Sequence, residues 1–66
     1  MTVRTGNRQV LVWGENVWVT IVRGAKDGEY RVLPPDGNQF VVAADSDDQC
    51  LDKIVTELRR RSPRAP

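Results

Sequence analysis

Apolar and polar residues alternate through the first part of the chain, and a helical period takes over in the last third. Gln9-Val10-Leu11-Val12-Trp13 and Val17-Trp18-Val19-Thr20-Ile21-Val22 are dense in β-branched and aromatic residues and flank Gly14-Glu15-Asn16. That arrangement predicts a β-hairpin with a short turn. Gly24-Ala25-Lys26-Asp27-Gly28 marks a second turn, and Glu29-Tyr30-Arg31-Val32-Leu33 alternates as a half-buried strand does. Pro34-Pro35-Asp36-Gly37-Asn38 is the strongest turn signal: proline pre-sets φ, Asp bonds the backbone ahead of it, and Gly accepts a positive φ. Residues 39–44 complete a fourth strand. Ser46-Asp47-Asp48-Gln49 then fits a capping box, and Cys50, Leu51, Ile54, Val55 and Leu58 recur as one apolar stripe. Asp47 and Asp48 in the first turn and Arg59, Arg60 and Arg61 in the last complement the helix dipole. Ser62-Pro63 ends the helix.

The expected fold is therefore α+β: a four-stranded antiparallel β-meander followed by one C-terminal α-helix packed on one face. It forms a single small domain over residues 1–66, with 1–7 a loose N-terminal lead-in and 62–66 a C-terminal tail. One helix covers only one face of such a sheet. The other face must meet solvent, a partner or a second copy.

Parity decides which residues share that second face. With a two-residue turn at Gly14-Glu15 or Glu15-Asn16, one face carries Val10, Val12, Val17, Val19 and Ile21. This all-aliphatic face is the natural seat of the helix, joined by Tyr30, Val32, Phe40 and Val42. The other carries Leu11, Trp13, Trp18, Thr20 and Val22, with Val41 beside them, and is the candidate interaction surface. Three alternatives stay open: a three-residue turn that splits the tryptophans between faces, a helix seated on the tryptophan side, and a sheet curled into a small barrel that buries them.

Composition narrows the chemistry. A chain of 66 residues is a marginal domain that buries only about 60% of its unfolded surface. Cys50 is the only cysteine and histidine is absent, so an internal disulfide and a Cys/His zinc site are both excluded. Self-association remains as the available reinforcement. Cys50 reads as a small buried apolar residue, and Asp45, Asp47, Asp48 and Asp52 lack the spacing of an EF-hand. No phosphate-cradling glycine loop occurs. We expect no enzyme activity, no cofactor and no metal.

Ten Lys+Arg against nine Asp+Glu leave the net charge at +1, which gives no general attraction to nucleic acid. Arg59, Arg60, Arg61 and Arg64 are nevertheless candidate phosphate contacts, and tryptophans on an open sheet can stack bases. Neither a transmembrane run nor a secretion signal is present, which with a lone thiol suggests the cytoplasm. The expected partners are a second copy, as a homodimer, and a protein; nucleic acid is the alternative, and a membrane is not expected.

Residues 17–61 resemble the small HicB-like antitoxin domains. The matching features are the acidic-Gly turn and strand start Asp27-Gly28-Glu29-Tyr30, the turn Pro35-Asp36-Gly37, and Asp45-Ser46-Asp47-Asp48 opening the helix. The chain departs from that family at Gln49-Cys50, where an acidic residue and Ala are usual, and no ribbon-helix-helix or helix-turn-helix region follows. The resemblance implies a regulatory module that binds a protein partner. The element order also resembles the arm-binding domains of tyrosine integrases and, apart from their much more basic charge, archaeal chromatin proteins with an SH3-like barrel and a C-terminal helix.

Overall fold

The computed structural model describes residues 3–61. The chain runs β1 (Gly6–Val12), β2 (Glu15–Arg23), β3 (Glu29–Leu33), β4 (Phe40–Ala43) and α1 (Asp47–Arg61). The strands form one antiparallel sheet in the order β1-β2-β3-β4, an open meander of an α+β fold. The two outer strands remain edges, so the sheet does not curl into a barrel.

Short local hydrogen bonds make the connections. The hairpin loop is Trp13-Gly14, because Val12 pairs with Glu15 and both loop residues have positive φ, at 52° and 80°. That is the signature of a type I′ turn, whose twist matches the flanking strands. Between β2 and β3 the Gly24 amide donates to the Glu29 carbonyl at 2.8 Å, and a Cβ on Gly24 would stand 2.9 Å from Glu29. Only glycine fits there. In the proline turn the Gly37 amide donates to the Pro34 carbonyl (3.1 Å), and the Asn38 amide donates to Asp36 Oδ1 (2.8 Å).

Strand register fixes the core. Val10, Val12, Val19, Ile21, Val32 and Val42 point to one side of the sheet and are buried. The helix lays Cys50, Ile54 and Leu58 on them, one turn apart, with Leu51 and Val55 half-buried at its flanks. Val17, Tyr30 and Phe40 pack around the same cluster. The helix thus seats on the aliphatic face, as parity predicts.

The helix is held at both ends. At its start, Gln49 donates its amide to Ser46 Oγ (3.2 Å), while Gln49 Oε1 accepts from the Asp45 amide (2.6 Å). The reciprocal cap therefore reaches one residue further back than a standard capping box. Asp47 takes a forked pair from Arg8, Nη1 to Oδ1 at 2.7 Å and Nη2 to Oδ2 at 2.9 Å, and Oδ1 also accepts the Arg4 amide at 3.0 Å. These bonds, with Val3 buried in the core, make the described part of the lead-in tighter than its polar composition predicts. Gly6 and Asn7 already belong to β1. The tail at 62–66, including Arg64, lies outside the described residues.

The Arg8 hydrogen bonds, reinforced by the Arg4 amide, lower the Asp47 carboxyl from 3.8 to about 2. A carboxyl depressed on folding adds stability above its unfolded value, and that stability is lost as pH falls through the folded value. The window here is pH 4 down to pH 2. Discounted for the partial solvent exposure of the pair, its size is about 1–2 kcal/mol. We predict that Asp47→Asn lowers the unfolding free energy by about that amount at pH 7 and by almost nothing at pH 2. Urea unfolding at a series of pH values measures this. A constant difference across the series would show that the ion pair is energetically silent.

Candidate functional site

The face opposite the helix is built by the same register. Trp18 pairs with Gln9, Thr20 stands between Asn7 and Leu33, and Arg31 stands between Val22 and Val41. Leu11, two residues along β1 from Gln9, falls diagonally beside Trp18. No other element of the described chain packs over this face. Trp18 is 60% exposed, Leu11 59%, Val41 53% and Val22 38%. Thr20 and Leu33 are half-buried by their neighbours, and Thr20 Oγ1 donates to Asn7 Oδ1 at 2.8 Å. A strip of large apolar side chains therefore crosses the sheet diagonally, with the exposed Arg31 as the charged group between its valines. This uncovered apolar surface is the candidate contact site.

Of the expected surface residues, Leu11, Trp18, Thr20 and Val22 share this face and Trp13 does not. The correction comes from the turn. Each of the two-residue loops considered preserves strand parity, so the strand residues sort as predicted, but the loop is Trp13-Gly14 and Trp13 leaves the strand. Its φ of 52° is a left-handed conformation that a bulky residue adopts at a cost of about 1 kcal/mol. The conformation brings the indole to the helix side, where the Arg59 guanidinium lies 5.1 Å from its ring centroid. Leu33 is the functional-face residue that sequence reasoning missed. The sequence places it at the end of the third strand, and its alternation with Arg31 is the signal that puts it on this face.

The arginine cluster belongs to the helix side too. Arg61 lies over the Phe40 ring at 4.6 Å, donates to Glu57 Oε2 at 2.8 Å and to the Asn38 carbonyl at 2.5 Å. Arg60, whose side chain is 73% exposed, donates to the same Glu57 carboxylate at 2.7 Å. Hydrogen bonds from Arg60 and then Arg61 hold the Glu57 carboxyl below its ordinary range. Trp18 and Arg59–Arg61 thus lie on opposite sides of the sheet, and the tryptophan face and the arginines do not merge into one surface.

The remaining chemical candidates are quiet. Cys50 is fully buried, and burial, followed by the nearby Asp47 charge, pushes its thiol up, away from the reactive thiolate. Asp47 is committed to Arg8, and Lys53 donates to the Ala43 carbonyl at the end of β4. Among the described residues no group of three His, Cys, Asp or Glu side chains comes together, and no helix is long and apolar enough to cross a membrane. No protein-family profile, curated protein or solved structure matches the chain.

Exposure of the sheet face and burial of the core beneath the helix predict unequal mutational costs. Trp18→Ala at low protein concentration should change the unfolding free energy by less than about 1 kcal/mol, whereas Ile54→Ala should cost about 3 kcal/mol. Denaturant midpoints of the two variants check this. A Trp18→Ala cost as large as that of Ile54→Ala would mean that the indole is buried in the monomer.

Proposed function

We propose that this chain is a non-catalytic interaction module that self-associates and binds a protein partner, in an antitoxin-like regulatory role. The observation that carries the reading is the uncovered strip of Leu11, Trp18, Val22 and Val41 opposite the helix. Two antiparallel sheets stack face to face at about 10 Å with their inner side chains interdigitated. A second copy of the same face would fill that space and bury the exposed indole. A domain of 7.5 kDa has a small core, and covering this strip stabilises it where a disulfide or zinc site is not available. Aromatic residues with few charges at the centre are also the usual make-up of a protein-binding patch. The protein-partner half of the reading rests on the resemblance to HicB-like domains and on the same surface. The lone buried thiol accords with work in a reducing compartment such as the cytoplasm.

The alternative is a nucleic-acid-binding domain using the sheet face and the arginine cluster. It is the weaker reading, because Glu57 shares Arg60 and Arg61, Arg59 is spent on Trp13, and all three lie across the sheet from Trp18. Labelled DNA and RNA titrated at low salt discriminate: affinity that falls steeply with added salt would favour this alternative.

Sedimentation equilibrium over a concentration series tests the leading reading. The expected mass approaches twice that of the chain at high concentration. Trp18→Ala shifts the equilibrium toward monomer by about tenfold or more, and Trp13→Ala leaves it unchanged. A wild type that stays monomeric at millimolar concentration would contradict self-association.

A further inference from the structure

The turn that joins β1 to β2 also decides which backbone groups of β1 are left over. A two-residue loop makes Val12 and Glu15 a hydrogen-bonded pair, so Val10 and Arg8, further back on β1, bond to β2 in the same way. Asn7, Gln9 and Leu11 alternate with them, and their amides and carbonyls point outward from the sheet. β1 is an outer strand, and among the described residues no backbone bond from outside the sheet reaches these three. An open edge of this kind is a template for another strand, which proteins commonly blunt with proline, lysine, a bulge or a short strand. The seven residues of β1 contain neither proline nor lysine and pair with β2 without interruption, and its one charged side chain, Arg8, is bound to Asp47. The other edge differs: β4 has only four residues, and Lys53 occupies the Ala43 carbonyl.

Beside this edge, on the helix side, lies an open groove of about 420 Å³ between β1 and α1. Val10 forms its floor, and Leu51 and Val55, both only half-buried, form its helix wall. Charges of both signs flank it, Asp48 and Asp52 toward the start of the helix and Arg59 toward its end. Charge therefore does not select what fits there. The outward backbone groups and the aliphatic wall do.

We propose that the β1 edge takes up an extended segment of the protein partner as a fifth strand, with aliphatic side chains of that segment seated in the groove. The inference rests on the protein-partner reading above and names how that partner is held. Backbone bonds to Asn7, Gln9 and Leu11 supply affinity, and the alternate side chains supply specificity. A residue set opposite Gln9 shares the open face with it, and its two neighbours turn toward Leu51 and Val55. A second copy is the poorer fit. The helix-side residues of its own β1 are already committed, Val10 and Val12 to its core and Arg8 to Asp47, so the groove would stay empty. Association through the open sheet face uses side chains and leaves the edge backbone free, so the two contacts coexist.

The probe is the peptide acetyl-Lys-Thr-Val-Thr-Val-Thr-Lys-amide, titrated into the dilute ¹⁵N-labelled full chain. Its threonines match the outward positions of β1 and its valines match the groove. The amides of Asn7, Gln9 and Leu11 should shift saturably, together with those of Leu51 and Val55. N-methylation of the threonine amides should weaken binding at least about tenfold, because those N–H groups face β1. N-methylation of the valine amides, which face away, should leave it close to that of the parent peptide. No saturable binding at millimolar peptide, equal loss from either methylation, a threonine-methylated peptide that binds as well as the parent, or shifts centred on Trp18 and Val41 would each overturn the proposal. Broadening of the edge amides when the chain is concentrated without peptide would overturn it too, by placing a second copy on the edge. Sheet-face association is read separately, by sedimentation of Trp18→Ala, so either contact can fail without the other.

Discussion

One helix has to serve a sheet that has two faces, and every feature of this small domain follows from how that mismatch is handled. Strand alternation concentrates the compact aliphatic residues, Val10, Val12, Val19, Ile21, Val32 and Val42, on one face, where Cys50, Ile54 and Leu58 close over them. The opposite face carries Leu11, Trp18, Val22 and Val41, with Arg31 among them. Burying those as well would need a third layer that the described chain does not contain. The apolar surface left over is the basis for reading this protein as an interaction module.

The helix cannot exchange one face for the other, because polar contacts fix it at both ends. Arg8 and the Arg4 amide grip Asp47 at the start of the helix. At its end Arg59 rests on Trp13, and Arg61 rests on Phe40 while bonding the Asn38 carbonyl. These contacts engage residues from the first strand, the hairpin tip and the loop before the last strand. Two of the arginines expected as phosphate contacts, Arg59 and Arg61, therefore also fasten the end of the helix to the sheet. The result is a broad uncovered apolar face on the sheet and, at the hairpin end, a cavity lined by Trp13, Pro34, Pro35 and Leu58.

Most of the fold was legible because each element carried an independent signal. The strands announced themselves by β-branched alternation, the helix by its cap and stripe, and the proline turn by residue types with specific φ requirements. Parity correctly separated the core valines from Trp18, Leu11 and Val22, since that sorting holds for each of the two-residue loops considered. Trp13 was misplaced because turn propensity pointed to Gly14-Glu15 or Glu15-Asn16, and nothing local in the sequence foretells a tryptophan in a left-handed conformation. The lead-in around Val3 and Arg4 reads as loose for a related reason: Val3 packs into the core, and the Arg4 amide donates to Asp47, 43 positions away. Pairings that long-range packing creates leave no periodic trace in the chain. The cavity was invisible for the same reason, as its walls come from three distant segments.

The central claim is that the face opposite the helix is uncovered in the isolated chain and becomes covered on association. A soluble paramagnetic probe reads this directly through the relaxation of the Leu11, Val22 and Val41 methyls and the Trp18 indole, at micromolar and at millimolar protein. The account predicts strong relaxation of these signals in dilute solution and selective protection on concentration, with Ile21, Val32 and Ile54 protected throughout. Relaxation at Trp18 and Val41 that is equally strong at both concentrations would contradict association through this face. Protection at both would contradict its exposure in the monomer.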